Sequence, residues 1–310
     1  MTVLCENARM AERERFRSTT EGLRDCFSLR LYDKAKRLGV WDPAALDLTR
    51  DREQWLQLSR DEQAALTQIA SLFLAGEEGV TLDLLPLVLT IAREGRLEEE
   101  LYLTTFLFEE GKHTQLFSRF LTEVAGSPAD LERWHTPSYR AIFHHELPRA
   151  MNALLDDPSP AAQVGAAVTY NMVVEGVLAE TGYQVYHDAL AKRDLLPGLR
   201  EGLGHVKRDE SRHIAYGIYL LSRLVAVEPA LWEVVAARME ELLPLALAFV
   251  EETYEPWGDV TPFGIERDTV LVWATTQFQR RFERIERARG RSIAEIEALA
   301  DEDASVASAV

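Results

Sequence analysis

The sequence predicts an all-α protein, and three observations carry that prediction. Apolar residues recur at three- and four-residue steps through most of residues 61–288. No stretch of useful length alternates apolar with polar residues, as a half-buried strand would. Breaker clusters punctuate the periodic stretches: GSP at 126–128, DDPSP at 156–160 and YEPWGDVTPFG at 254–264.

The elements follow in order. The first sixty residues are the least regular. WDPAALDLTRDREQW (41–55) reads as an extended, surface-hugging segment with turn residues, leading into a helix capped near Ser59. Helices are expected over 61–78 and 81–93, and over 97–124 up to the GSP breaker. A Thr136–Pro137 start suits a helix over 137–155, closed by DDPSP. Long helical patterns follow at 160–190, 197–225, 228–253 and 263–288. No internal repeat or Gly/Ser linker stands out. Residues 1–289 are expected to form one domain, and 290–310, low in aromatics, a flexible tail.

Composition narrows the function. The 310 residues are long enough to bury a sizeable core, and 47% of them are hydrophobic. A formal net charge of −17 argues against nucleic acid or an anionic membrane as a general partner. Two cysteines, Cys5 and Cys26, make no disulfide framework and fit a reducing compartment. The start, MTVLCENARMAERERFRSTT, has no apolar signal core, and no run of about 18 apolar residues exists. The expectation is a cytoplasmic protein without a membrane span.

The chemistry lies in two Glu-x-x-His pairs, Glu110/His113 and Glu210/His213. Residues three apart share one helix face, so each pair presents a carboxylate and an imidazole together. A lone pair of this kind is usually solvated. Here the phase of the neighbours argues otherwise. Leu203, Val206, Glu210, His213, Gly217 and Leu220 form one stripe, and Phe106, Glu110, His113, Phe117 and Phe120 form another. Two further stripes are interrupted by glutamates: Leu66, Ile69, Phe73, Glu77 and Val80, then Ala167, Asn171, Glu175, Leu178 and Gly182. Glu78 falls off its stripe and is expected to meet water.

Four helices thus each offer an inward carboxylate, and two add a histidine. That is the ligand set of a ferritin-like dinuclear carboxylate site: Glu77 and Glu175 singly, with Glu110/His113 and Glu210/His213 as pairs. Left alone, four buried carboxylates would repel one another or protonate. Two cations would neutralise them. Oxygen-rich ligation with one imidazole per ion suits iron or manganese better than zinc. The predicted fold is therefore a ferritin-like helical bundle, a four-helix metal-binding core with additional helices.

These six residues resemble the metal ligands of the small subunit of class I ribonucleotide reductase and its relatives. WDPAALDLTRDREQW is similar to that superfamily's segment before its first core helix, and the resemblance covers roughly 20–285. Within the superfamily the sequence is most similar to the ligand-binding oxidase group. The resemblance implies a mixed manganese/iron centre (Fe/Fe being the alternative), reaction with O₂, and a long-chain fatty-acid-like ligand beside the metals. It places manganese with Glu77, Glu110 and His113, and iron with Glu175, Glu210 and His213, with Glu110 and Glu210 in reach of both metals. It also implies an ether cross-link between Val80 and Tyr170, and a homodimer. The physiological substrate is not legible in the sequence.

Departures from the reductase pattern separate the readings. The position four residues after His113, where many reductase small subunits carry a radical-bearing tyrosine, is Phe117. The tail DEDASVASAV lacks the aromatic residue expected of a peptide that docks on a large subunit. A reductase subunit using a Mn/Fe centre without a tyrosyl radical is the alternative, and iron storage a more remote one. By resemblance Asp209 is placed to hold His113, and Trp41 matches an electron-relay tryptophan; a surface Asp and simple packing account for them as well. Tyr183 reads as packed core, HHE at 144–146 as solvated, and EEE at 98–100 as a complement to a helix dipole. Gly76, Gly79, Gly176 and Gly182 fit either a ligand channel or close helix packing.

Overall fold

The computed structural model describes residues 16–307, and for 301–307 the backbone alone. Cys5 and most of the charged N-terminal start lie outside the described residues. The principal helices are α1 (Phe27–Leu38), α2 (Arg60–Asp83), α3 (Leu85–Arg93), α4 (Leu97–Arg119), α5 (Pro160–Ala167), α6 (Glu180–Lys192), α7 (Pro197–Val227), α8 (Leu231–Tyr254), α9 (Arg267–Glu286) and α10 (Ile293–Ala307). Among the described residues no strand forms; a single bridge pairs Val260 with Glu266 in the loop before α9. None of these helices is long and apolar enough to cross a membrane.

Local chemistry explains the boundaries. Ser59 begins α2 with a capping box: its hydroxyl accepts from the Glu62 N–H at 3.2 Å, and Glu62 accepts from the Ser59 N–H at 2.8 Å. Past α4 a wider turn, Phe120–Val124, ends at Gly126, whose φ of 76° suits a residue without a Cβ. The region 137–155 is helical in short pieces (Pro137–Arg140, Ala141–Glu146, Leu147–Asn152 and Ala153–Leu155).

Two stretches differ from the sequence expectation. Segment 41–55 is not extended throughout: Pro43–Ala45 makes a 3₁₀ turn and Thr49–Trp55 a short helix. That helix buries Asp51, whose carboxylate accepts from the N–H groups of Gly198 (2.9 Å) and Leu199 (2.8 Å) and so caps α7. The tail region carries α10, which packs on α7 and buries Ile296. Residues 308–310 lie outside the described residues.

Between α5 and α6 the chain winds as a π-helix over Val168–Ala179. Here i→i+5 bonding brings residues five apart toward one face, whereas in a regular α-helix they point about 140° apart. Tyr170 and Glu175 are such a pair. The stretch 163–178 is almost wholly buried, Glu175 included, so it runs through the middle of the bundle. Gly217 of α7 lies against it; a Cβ there would overlap Asn171.

The apolar core falls into two clusters, one containing Val80, Phe106, Val174 and Tyr216, the other Leu66, Phe117, Tyr183 and Leu203. Along α2, α4 and α7 the chain passes from one cluster to the other through its Glu or Glu-x-x-His positions. The bundle therefore holds a polar layer between two apolar ones.

Candidate metal centre

All six expected ligand residues lie in that layer. Exposure is 4% for Glu77, 3% for Glu210, 2% for Glu175 and nil for Glu110, His113 and His213. Glu78, one residue along from Glu77, is exposed as expected. Two groups of converging donor atoms form: Glu77, Glu110, His113 and Glu210, and Glu110, Glu175 and His213. Within each, the donor atoms lie within 4.8 Å of one another.

Both histidines aim Nδ1 inward. His113 Nδ1 stands 3.3 Å from Glu110, 3.4 Å from Glu210 and 3.6 Å from Glu77. His213 Nδ1 stands 3.1 Å from Glu110, 3.6 Å from Glu210 and 3.9 Å from Glu175. Glu110 and Glu210 thus face both imidazoles, while Glu77 and Glu175 flank one each. The resemblance puts Glu110 and Glu210 within reach of both metals, and the geometry joins Glu210 to Glu77 and His113 as well as to His213.

The electrostatics are those of a cage built for cations. Both oxygens of Glu110, one each of Glu175 and Glu210, and Nδ1 of both histidines are buried without a hydrogen-bond partner. Groups so placed cost free energy unless something pairs with them. Burial pushes Glu77 and Glu175 well above the usual carboxylate range, and repulsion from Glu110 and Glu210 pushes them further. Burial also works on Glu110, but His213 and His113 outweigh it and hold Glu110 below the usual range. Burial alone would lower both histidines; the surrounding carboxylates overcome it and raise them. The raised groups thus favour a proton where a cation would otherwise neutralise the carboxylates.

Behind the ligands stand further polar residues, of which the sequence reading had singled out Asp209, Trp41 and Tyr183 but not Glu109. Glu109 accepts from His213 Nε2 at 2.9 Å, and Asp209 faces His113 Nε2 at 3.4 Å, the position the sequence offered for it. Trp41 does more than pack: its Nε1–H donates to Asp209 at 2.7 Å. Tyr183, expected as core, is buried and stacks on Phe73, yet its hydroxyl donates to Glu77. Asn171 donates to Glu175 at 3.2 Å. HHE at 144–146 joins no converging group among the described residues, and His144 and His145 are exposed. Glu98 and Glu99 do start α4, but both are buried in ion pairs, Glu98 with Arg17 and Glu99 with Arg96.

A cavity of about 870 Å³, mouth included, adjoins the layer. Glu77, Glu110, Glu175 and Glu210 line it, with Val80 beside them, and its walls are mainly apolar, among them Leu72, Phe73, Leu178, Val185 and Phe249. Gly76 and Gly182 also line it, and Gly182 at the same time packs closely against Phe73. Tyr170 is fully buried, and its hydroxyl donates to the Val80 carbonyl at 3.1 Å.

The family described as "Ribonucleotide reductase, small chain" matches residues 25–284. The chain belongs to that family. Within it, the chain is similar to a structure described as an R2-like ligand-binding oxidase with aerobically reconstituted Mn/Fe cofactor: 36% identity over 90% of this chain and 99% of that one, with a TM-score of 0.86. A variant of such an oxidase with anaerobically reconstituted Mn/Fe cofactor is 37% identical over 89% and 99%, with a TM-score of 0.84. The same variant with a non-activated Mn/Mn cofactor gives 37% over the same shares and a TM-score of 0.83. The small-chain fold is thus retained over most of this chain, and the ligand-bearing layer lies inside the matched region.

Proposed function

We propose that this member of the small-chain family is an O₂-activating oxidase with a dinuclear Mn/Fe centre, Fe/Fe being the alternative. Glu77, Glu110, His113, Glu175, Glu210 and His213 are its metal ligands. The observation that carries the reading is the set of buried, unpartnered carboxylate oxygens and imidazole nitrogens converging beside an apolar cavity. Carboxylate-rich ligation with imidazole fits iron and manganese, and the similar oxidase structures hold those metals.

A bound pair of divalent ions would supply two of the four electrons that reduce O₂ to water. The protein's own residues account for the rest of the reading. Val80 sits one helical turn from Glu77 and lines the cavity. Tyr170 is held with its hydroxyl against the Val80 backbone. Loss of the Val80 Cβ hydrogen and the Tyr170 hydroxyl hydrogen supplies the other two electrons and leaves an ether bond. Burial keeps the Tyr170 phenol protonated until then.

The cavity supports a long-chain, fatty-acid-like ligand: apolar walls suit the chain, and a carboxylate head suits a site rich in cations. A homodimer belongs to the same reading, and it would cover exposed apolar side chains such as Leu82 (66% exposed) and Phe108 (64%). The reductase alternative has less support, because Phe117 stands where the radical tyrosine is expected and stacks on Phe73 as packing. Activity with a large subunit would favour it.

The test is to load metal-free protein with Mn²⁺ and Fe²⁺, expose it to O₂, and measure peptide masses. A linked pair containing Val80 and Tyr170, two hydrogens lighter than the separate peptides, is expected. Separate unmodified peptides after full loading would overturn the cross-link.

A further inference from the structure

The two ligand pairs sit in matching five-residue runs, Glu109-Glu110-Gly111-Lys112-His113 and Asp209-Glu210-Ser211-Arg212-His213. Each reads acid, Glu, small residue, cation, His. In the fold the leading acids are exchanged. Asp209 of α7 faces His113 of α4, and Glu109 of α4 accepts from His213 of α7.

The cations are not shared evenly. Arg212 reaches both acids, Glu109 Oε1 and Asp209 Oδ1, each at 2.5 Å. Lys112 serves Asp209 alone, at 2.9 Å, and is fixed by the Gly39 carbonyl at 2.8 Å. Trp41 adds its N–H to the same Asp209 oxygen. Asp209 is therefore met by two cations and an indole, Glu109 by a share of one cation. All four charged groups are at most 4% exposed, so water does little to level the difference.

An acceptor that keeps more of its charge polarises an imidazole N–H more strongly and makes the opposite nitrogen a better metal donor. Glu109 is that acceptor, and its distance to its histidine is shorter, 2.9 Å against 3.4 Å. We propose that Glu109, clamped by Arg212, is a positioning residue that strengthens His213 as a ligand and makes the two metal positions unequal. Fe²⁺, which stands above Mn²⁺ in the affinity order, then prefers the His213 position, the placement the resemblance implies. This rests on the dinuclear reading above and adds a reason why two nearly equivalent ligand sets would take different metals.

The experiment titrates metal-free protein anaerobically with Fe²⁺ and with Mn²⁺ against a chelating indicator. It also locates each metal by anomalous diffraction at the two absorption edges after mixed loading. Wild-type protein is expected to bind in two steps of different affinity, with iron enriched at His213. Glu109→Gln keeps the size and removes the charge; it should weaken the tighter step by about 10–100-fold and scramble the two metals. Glu109→Asp should restore the order of the steps. Lys112→Met acts from the other side: with its cation gone, Asp209 serves His113 better and the gap between steps should narrow. Unchanged steps and metal placement in both Glu109→Gln and Lys112→Met, or an equal loss at both steps in Glu109→Gln, would overturn the proposal. Two-step binding by wild type keeps the dinuclear reading even then, while no binding by wild type overturns both.

Discussion

The two walls of the polar layer are built in different ways. The α4–α7 wall contributes both Glu-x-x-His pairs and stands on buried charge: Glu109, Asp209, Arg212 and Lys112. The wall of α2 and the π-helical stretch contributes Glu77 and Glu175, and around them it offers Val80, Tyr170, Val174 and the cavity. One wall is a rigid charged lattice, the other an apolar surface beside open space. The difference teaches a division of labour. Holding ions needs oriented donors with fixed partners, whereas admitting an apolar ligand needs room and no competing charge.

Removing the cation that ties the charged wall together should have the largest effect on stability. Arg212→Met leaves Glu109 and Asp209 buried without their shared partner, and the cost should be about 3–5 kcal/mol. Thermal or urea unfolding of the variant measures it; a loss under about 1 kcal/mol would show that the lattice is dispensable.

pH should act on the layer in a known direction when metal is absent. Glu77, Glu175, His113 and His213 are all raised, so the folded chain holds their protons more tightly than the unfolded chain does. That stabilisation is complete in acid and lost as pH rises through the raised values. Glu110 runs the other way, and its contribution is lost only in strong acid. Metal binding displaces these protons, so the difference in Tm between loaded and metal-free protein should widen from about pH 5 to 8. A difference that narrows with pH would contradict the proton-filled cage.

Changes on the apolar wall should spare the ions. Leu178→Trp fills part of the cavity and should abolish uptake of a fluorescent fatty acid while metal content stays as in wild type. Loss of both together would merge the two walls into one unit. The smallest effect is expected for Tyr170→Phe, which removes one buried hydrogen bond worth about 0.5–1.5 kcal/mol. It should leave metal loading intact and yield no linked peptide after exposure to O₂.

Legibility in the sequence differed between these walls as well. The ligands on α2, α4 and α7 could be read because their stripes alternate buried with exposed faces, so Glu77 and Glu78 separate cleanly. Around Glu175 the stripe carried little information: nearly every residue from 163 to 178 is buried, whatever its phase. The π winding there could not be read from a period of 3.6, although the five-residue interval from Tyr170 to Glu175 is its trace. Glu109, Lys112 and Arg212 were missed because charged residues beside a ligand pair look like solvent face. The signal that could have found them is the repeated run of acid, Glu, small residue, cation and His. In segment 41–55, the role of Asp51 could not be read because the helix it caps begins nearly 150 residues later.

The central claim is that these six side chains hold two ions, and metal content tests it most directly. Metal-free protein is equilibrated anaerobically with Fe²⁺ and Mn²⁺, freed of unbound metal, and analysed for metal per chain beside Glu110→Ala. Glu110 belongs to both groups of donor atoms, so the account predicts about two ions per chain in wild type and fewer than one in the variant. Wild-type protein that retains fewer than one ion, or a variant that retains as many as wild type, would contradict it.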